Sequence, residues 1–254
     1  MAATAEYTAN RGGTVASAQA AILTTVNRVT GVYERELAVR LLLVRNDGSL
    51  IYTNATTDPY TNNSPHSLVG ENQSNLTAVV GTASFDVGHV FSTAGGGLAY
   101  VGVVCHATLK AAGETGIANP VGDFFDIDYV AHEMGHQFGG NHTFDGNGGS
   151  CGGNRNPGTA YEPGSGSTIM AYAGICGGDN LQAHTDPYFH VVSYEEIESY
   201  LATTSCGAVS STGNSVPSVS LPPGGKTLPI GTPFKLTASG TDADGDPLTF
   251  CWEE

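Results

Sequence analysis

Apolar side chains at Val15, Ala18, Ile22, Val26 and Val29 recur at steps of three and four, the stripe of an amphipathic helix, and Gly31 is placed to end it. The period then changes. Leu37, Val39, Leu41 and Leu43 alternate with Ala38, Arg40, Leu42 and Val44, which predicts a strand. Asn46-Asp47-Gly48 supplies turn chemistry before Leu50-Ile51-Tyr52. Residues 53–76 are polar and read as loop, followed by a short helix near 75–80 and a strand over 87–91. Gly95-Gly96-Gly97 leads into an extended run from Leu98 to Cys105 that suits a sheet edge.

The clearest helix covers residues 129–138, with Asp126 or Asp128 as its cap and Gly139-Gly140 as its stop. Residues 141–166 are dense in Gly, Asn and Pro, so a disulfide or a metal must pin them rather than a core. Ser193 and Glu196 have capping-box spacing ahead of Ile197 and Leu201, which marks a last helix. Helix and strands early, coil and helix late, indicate an α/β or α+β domain over residues 1–207. A linker poor in large apolar residues spans 208–217. Beyond it, over 218–254, Val219, Leu221, Phe234 to Thr237 and Leu248 to Trp252 read as short strands of an incomplete β-sandwich.

Composition narrows the partners. The 254 residues are 40% hydrophobic, enough for a core, and 13% charged, too few for a charge-driven disordered chain. With 24 acidic against 9 basic side chains the net charge is -15, which repels nucleic acid and anionic membrane surfaces. No apolar run reaches the roughly 18 residues a membrane span needs; Arg40 and Arg45 interrupt the most hydrophobic stretch. Five cysteines without a Cys-x-x-Cys pair suggest disulfides, hence an oxidising compartment. Residues 1–6 have neither a basic start nor a long apolar segment, so secretion presupposes a leader already removed.

The chemistry concentrates in one stretch. His132-Glu133-Met134-Gly135-His136-Gln137-Phe138-Gly139-Gly140-Asn141-His142 satisfies His-Glu-x-x-His-x-x-Gly-x-x-His at every fixed position. Chance occurrence in a chain of this composition is on the order of one in twenty thousand. His132 and His136, one helical turn apart, can face one ion, and the bend at Gly139 brings His142 back toward it. Three imidazoles leave a fourth position open, which is how catalytic zinc is held, and Glu133 beside the first ligand is placed as a general base.

With these residues the chain resembles the metzincin metallopeptidases, and more closely their reprolysin-like (adamalysin-like) branch in secreted bacterial enzymes. Ser167-Thr168-Ile169-Met170-Ala171-Tyr172 is similar to the Met-turn, whose methionine packs beneath the zinc-binding histidines; an ordinary core Met is the alternative. The resemblance implies a mixed twisted sheet with an antiparallel edge strand, an active-site helix, an irregular second half with the Met-turn and a final helix. It implies one catalytic zinc on His132, His136 and His142. It also implies a stabilising hydroxyl from Tyr172, against an ordinary buried Tyr. Leu98, Ala99 and Tyr100 would pair with an extended substrate, or form a plain interior strand. Ala173 and Gly174 would help to shape the specificity pocket. By the same resemblance Cys105 pairs with Cys206 and Cys151 with Cys176, leaving Cys251 to the second segment. The chain departs at Thr143, where reprolysins usually carry Asp.

Calcium is a further candidate. Asp242, Asp244 and Asp246 have the oxygen density of a calcium loop, but Pro247 and a strand-like continuation exclude an EF-hand. The stretch resembles the Asp-rich turn of cadherin-like or polycystic-kidney-disease-type repeats, where a calcium ion and a solvated turn are both open. Asp58, Asp145 and Glu162 are further candidates in Gly-, Asn-, Thr- or Pro-rich loops. The expected activity is that of a monomeric secreted zinc endopeptidase acting on proteins or peptides. A zinc-containing adhesion module without turnover is the competing reading.

Overall fold

The computed structural model describes residues 1–225 and 227–253, which divide into two compact units, Met1–Gly207 and Ala208–Glu253. In the first, a four-stranded sheet runs in the order β1 (Ala2–Ala3), β2 (Val90–Ser92), β4 (Gly113–Gly116), β3 (Gly96–Ala99). The first two pairings are parallel and β3 is antiparallel to β4, with Leu98 opposite Glu114 and Ala99 opposite Gly113. The architecture is therefore mixed α/β, with the antiparallel strand at an edge.

Helix α1 (Ala5–Asn10) leads to α2 (Val15–Leu37), capped by Thr14 and Ser17, each accepting from the other's backbone N–H. The buried face of α2 is Ala18, Ile22, Val26 and Val29 as the periodicity predicts, but Val15 is exposed and Gly31 does not end the helix. Val32, Tyr33 and Leu37 continue the stripe, and their burial outweighs the roughly 1 kcal/mol that one interior glycine costs. Ala38 closes α2 at φ 53°. The strand expected over residues 37–44 is absent: 38–44 belong to neither helix nor strand. Val39, Leu41 and Leu43 still alternate inward onto the core, so the period reports packing without a partner strand.

The region expected to loop holds α3 (Pro65–Val79), entered through Pro65 at its first turn. Its buried face includes Asn72 and Asn75, whose polarity hid the periodicity. Asn72 accepts from the Tyr60 hydroxyl and donates to the Ala111 carbonyl. Strand β4 reads Gly-Glu-Thr-Gly, and nothing in its propensity announces a strand.

Helix α4 (Gly122–Phe125), a π-helical stretch (Asp126–Ala131) and α5 (His132–Gln137) follow one another without a break. The helical run thus begins earlier than expected, and Asp126 and Asp128 are not caps. Asp126 accepts from the Thr25 hydroxyl, while Asp128 accepts from Thr185 N–H and pairs with His184. Tyr7, Phe91, Phe125, Met134, Phe138, Met170 and Ile197 pack with the α2 stripe into the main core beneath this run. Helix α6 (Val191–Leu201) is capped by the His190 ring rather than by Ser193, which lies buried within it.

Two disulfides, Cys105–Cys206 and Cys151–Cys176, lie in this unit. The second closes a separation of 25 residues, a constraint worth about 3 kcal/mol in loop entropy, within the Gly-rich second half. The other unit contains one antiparallel pair, β5 (Ser218–Ser220) and β6 (Ser239–Thr241). Contrary to expectation, residues 234–237 and 248–252 form no strand, and Phe234 and Trp252 are exposed. One two-stranded pair buries too little apolar surface to recruit them as further strands. Cys251 lies outside both disulfides.

Candidate metal centre

The first two histidines lie one turn apart on α5, which His132 opens and Gln137 closes. Gly139 then adopts φ +108°, and its N–H returns to the His136 carbonyl while Gly140 N–H reaches Gly135. A side chain at Gly139 would both strain this turn and meet Tyr200 Cβ at 2.8 Å. Asn141 is clamped next, its backbone and side-chain N–H groups donating to the two oxygens of Glu196. The chain is thereby delivered to His142 facing the helix it has just left. His142 Nε2 stands 3.3 Å from His132 Nε2 and 3.0 Å from His136 Nε2.

The other ring nitrogens decide what this means. His132 Nδ1 donates to the Ile169 carbonyl at 2.6 Å, His136 Nδ1 to Gly140 at 2.8 Å, and His142 Nδ1 to Asn154 at 2.7 Å. A carbonyl only accepts, so each Nδ1 carries the proton and each Nε2 presents a lone pair. Three lone pairs aimed at one point repel unless a cation lies between them. With Zn–N bonds of about 2.0–2.1 Å, nitrogens at tetrahedral corners stand about 3.3 Å apart, close to the separations observed. The residues present fit a zinc ion. Among the described residues this is the one group of three or more His, Cys, Asp or Glu side chains gathered for a metal.

The electrostatics agree. Burial first, then the neighbouring imidazoles, hold His132 well below the usual histidine range; burial and His142 lower His136 to about 3, and burial lowers His142. All three rings are thus neutral at neutral pH, with Nε2 free of a proton, the state that binds metal. Glu133 is buried, and burial followed by the charge of Glu114 pushes its carboxyl well above the usual carboxylate range. Glu114 itself, across from Leu98, is raised by burial to about 8.

Met170 is fully buried, and a Cβ on Gly135 would lie 2.4 Å from its sulfur, so this methionine packs against α5 between the two helical histidines. The turn that carries it is organised by Glu162. That buried carboxylate accepts from the Thr143 and Thr168 hydroxyls and from the backbone N–H groups of Ser167 and Thr168. Both oxygens of Glu162 are thus engaged by protein donors. Asp58 accepts from Ala5 N–H and Asp145 pairs with Arg155; the three candidates do not converge. Asp242 accepts from Asp244 and Asp246 N–H groups in its own turn.

A cleft of about 620 Å³ opens over the triad, lined by Gly97, Leu98, Ala99 and Val101 on one side, by Glu133, His136, His142 and Tyr172 at its floor, and by Asn141 and residues 153–157 opposite. The Tyr172 ring lies 5.3 Å from that of His132 and 4.6 Å from that of His142. Leu98 and Ala99 line the cleft and Tyr100 follows them, exposed. Ala173 and Gly174 lie outside the lining; Ala173 is buried and Gly174 abuts the Ala183 carbonyl. The carbonyls of Ile169, Gly140 and Asn154 that orient the rings were illegible in sequence, since every residue carries one.

The family description "Metallo-peptidase family M12B Reprolysin-like" matches residues 1–200. The chain belongs to the reprolysin-like metallopeptidases. No curated protein matches it. The match covers the whole sheet, the helix bearing the motif, the Met170 turn and nearly all of α6 of this reprolysin-like metallopeptidase.

Two expectations test the surroundings of the triad. A Cβ at Gly97 would lie 2.3 Å from Glu133 Oε1, so the bare backbone of β3 is what lets this carboxylate stand beneath the strand. Gly97→Ala displaces it, and peptidase activity falls about 10²-fold or more while bound zinc, measured by elemental analysis, stays at the wild-type level. The second concerns His89, fully buried, donating to Gln137 and accepting from Thr115. Burial lowers it to about 4. Its folded value lies below the unfolded value of about 6.5, so its stabilising contribution is full above about 6.5 and is lost as pH falls toward 4. Denaturant titrations of wild type and His89→Gln should show their stability difference growing from pH 4 to 6.5, by on the order of 3 kcal/mol, and level thereafter.

Proposed function

We propose that the chain is a secreted zinc-dependent endopeptidase of the metzincin type. The observation that carries this reading is the convergence of three Nε2 lone pairs, each fixed by an Nδ1 bond to a carbonyl, beside a buried carboxylate at the floor of a cleft with a free strand edge. Zinc bound to His132, His136 and His142 supplies a Lewis acid and an acidified water, of pKa about 7, for attack on a carbonyl.

The chain's own residues do the rest. The outer edge of β3 offers backbone N–H and C=O groups to an extended peptide, which holds it whatever its side chains. Desolvation makes the Glu133 carboxylate a stronger base, and it takes a proton from the attacking water as the new C–O bond forms. When the C–N bond breaks, that proton passes to the leaving amine. The Tyr172 hydroxyl donates to the oxygen that gains negative charge. Met170 and Glu162 hold the floor on which the rings rest. The two disulfides support an oxidising, extracellular setting. The Asp242 turn and the β5–β6 pair support a cadherin- or polycystic-kidney-disease-like module in the second unit.

The test is cleavage of an unfolded protein substrate by the purified chain. Cleavage that stops with a chelator and returns with zinc upholds the reading; a chain that retains zinc but leaves the substrate whole is instead a binding module.

A further inference from the structure

Among the described residues that line the cleft, Arg155 is the one cation and Glu133 the one carboxylate, while the histidines are neutral. This is conspicuous in a chain with only 9 basic residues. Arg155 is no stray surface side chain. Its neighbour Asn154 supplies the carbonyl that fixes His142, so the guanidinium is carried by the loop that orients the third ligand. Asp145 holds it: Nε donates to Oδ1 at 2.7 Å, and Nη2 forms the ion pair with the same oxygen at 2.6 Å. A guanidinium has five N–H donors, so this grip fixes its plane and leaves the others for a ligand. The side chain is 31% exposed.

Three amides neighbour it in the cleft, and Asn156 accepts from Gly158 N–H. Asn141 is engaged with Glu196, and the Asn154 amide donates to Ser150. The charge complementary to a fixed, partly desolvated guanidinium is a carboxylate, which it binds through two parallel N–H bonds. We propose that Arg155 is a specificity-determining residue that receives a carboxylate of the peptide substrate, so that the enzyme favours sequences with Asp or Glu close to the scissile bond. The inference rests on the endopeptidase reading above. Recognition of this kind opposes the chain's net charge of -15, which slows the approach of acidic substrates in general and confines their advantage to those that reach this one cationic side chain.

The same chemistry is found on a substrate's side chain and at its C-terminus, and the test separates them. Amidated fluorogenic peptides carry Glu or Gln at each of the four positions on either side of the cleavage site, and a parallel set has free C-termini. The zinc-loaded full chain should cleave the Glu peptide about 10-fold faster than its Gln partner, in kcat/KM, at one position, and the ratio should shrink as salt rises. Arg155→Gln should bring that ratio close to one, and Arg155→Glu should favour Lys over Gln at the same position. Each ratio is internal to one preparation, so partial misfolding cancels. A gain confined to free C-termini upholds the carboxylate site and overturns the side-chain preference. Flat ratios in an active wild type, or an Arg155→Gln variant that keeps the preference, overturn the proposal and leave the endopeptidase reading standing. A zinc-loaded chain that cleaves no peptide overturns both.

Discussion

Glu133→Gln is expected to bind one zinc per chain like the wild type and to cleave peptides 10²- to 10⁴-fold more slowly. The amide keeps the volume of the carboxyl and fits the same space beneath Gly97, but it cannot take a proton from water. None of the three rings leans on Glu133; their Nδ1 groups are bound to Ile169, Gly140 and Asn154. Zinc content and the thermal midpoint should therefore hold while kcat collapses. Unchanged turnover would remove Glu133 from the role of base, and loss of zinc would show that the carboxylate supports the site rather than the reaction.

Removing the ion should have the second large effect. Without a cation, three lone pairs confined within 4.8 Å of one another face each other in a buried site, and burial denies the rings the protons that would relieve them. A ligand held at 1,000 times its dissociation constant stabilises the folded state by about 4 kcal/mol. For a unit of roughly this size that corresponds to a drop of on the order of 10 °C in Tm on chelation, reversed by stoichiometric zinc. His142→Ala should lower zinc affinity and remove most of this zinc-dependent rise in Tm. A chelated protein that melts with the holoprotein would mean that the triad is not a metal site.

Much of the centre was legible because the ligand spacing is local. Four residues of helix and one glycine bend connect His132 to His142, and sequence distance there translates directly into space. The second half of the site was not legible for the opposite reason. Arg155 comes to the cleft and Glu162 to the Met170 turn through loops braced by Cys151–Cys176 and by backbone hydrogen bonds, and no periodicity encodes these. The fold shows the same division. The α2 stripe stood out, yet its end at Ala38 depended on Val32, Tyr33 and Leu37 finding a core that only tertiary structure supplies. Residues 38–44 alternate as a strand does but lack a neighbour to pair with, and α3 hides its inner face behind two asparagines satisfied by Tyr60, Tyr52 and Ala111.

The Cys151–Cys176 bridge has a consequence for when the centre can assemble. Asn154 N–H bonds to the Cys151 carbonyl, and the Asn154 carbonyl in turn sets the angle of the His142 ring. The aim of the third ring is thus moored by a sulfur–sulfur bond only a few residues away. Reducing that bond should slacken the mooring and weaken the grip of the third ring on a metal. On this geometry, completion of the metal centre is coupled to oxidation of Cys151 and Cys176.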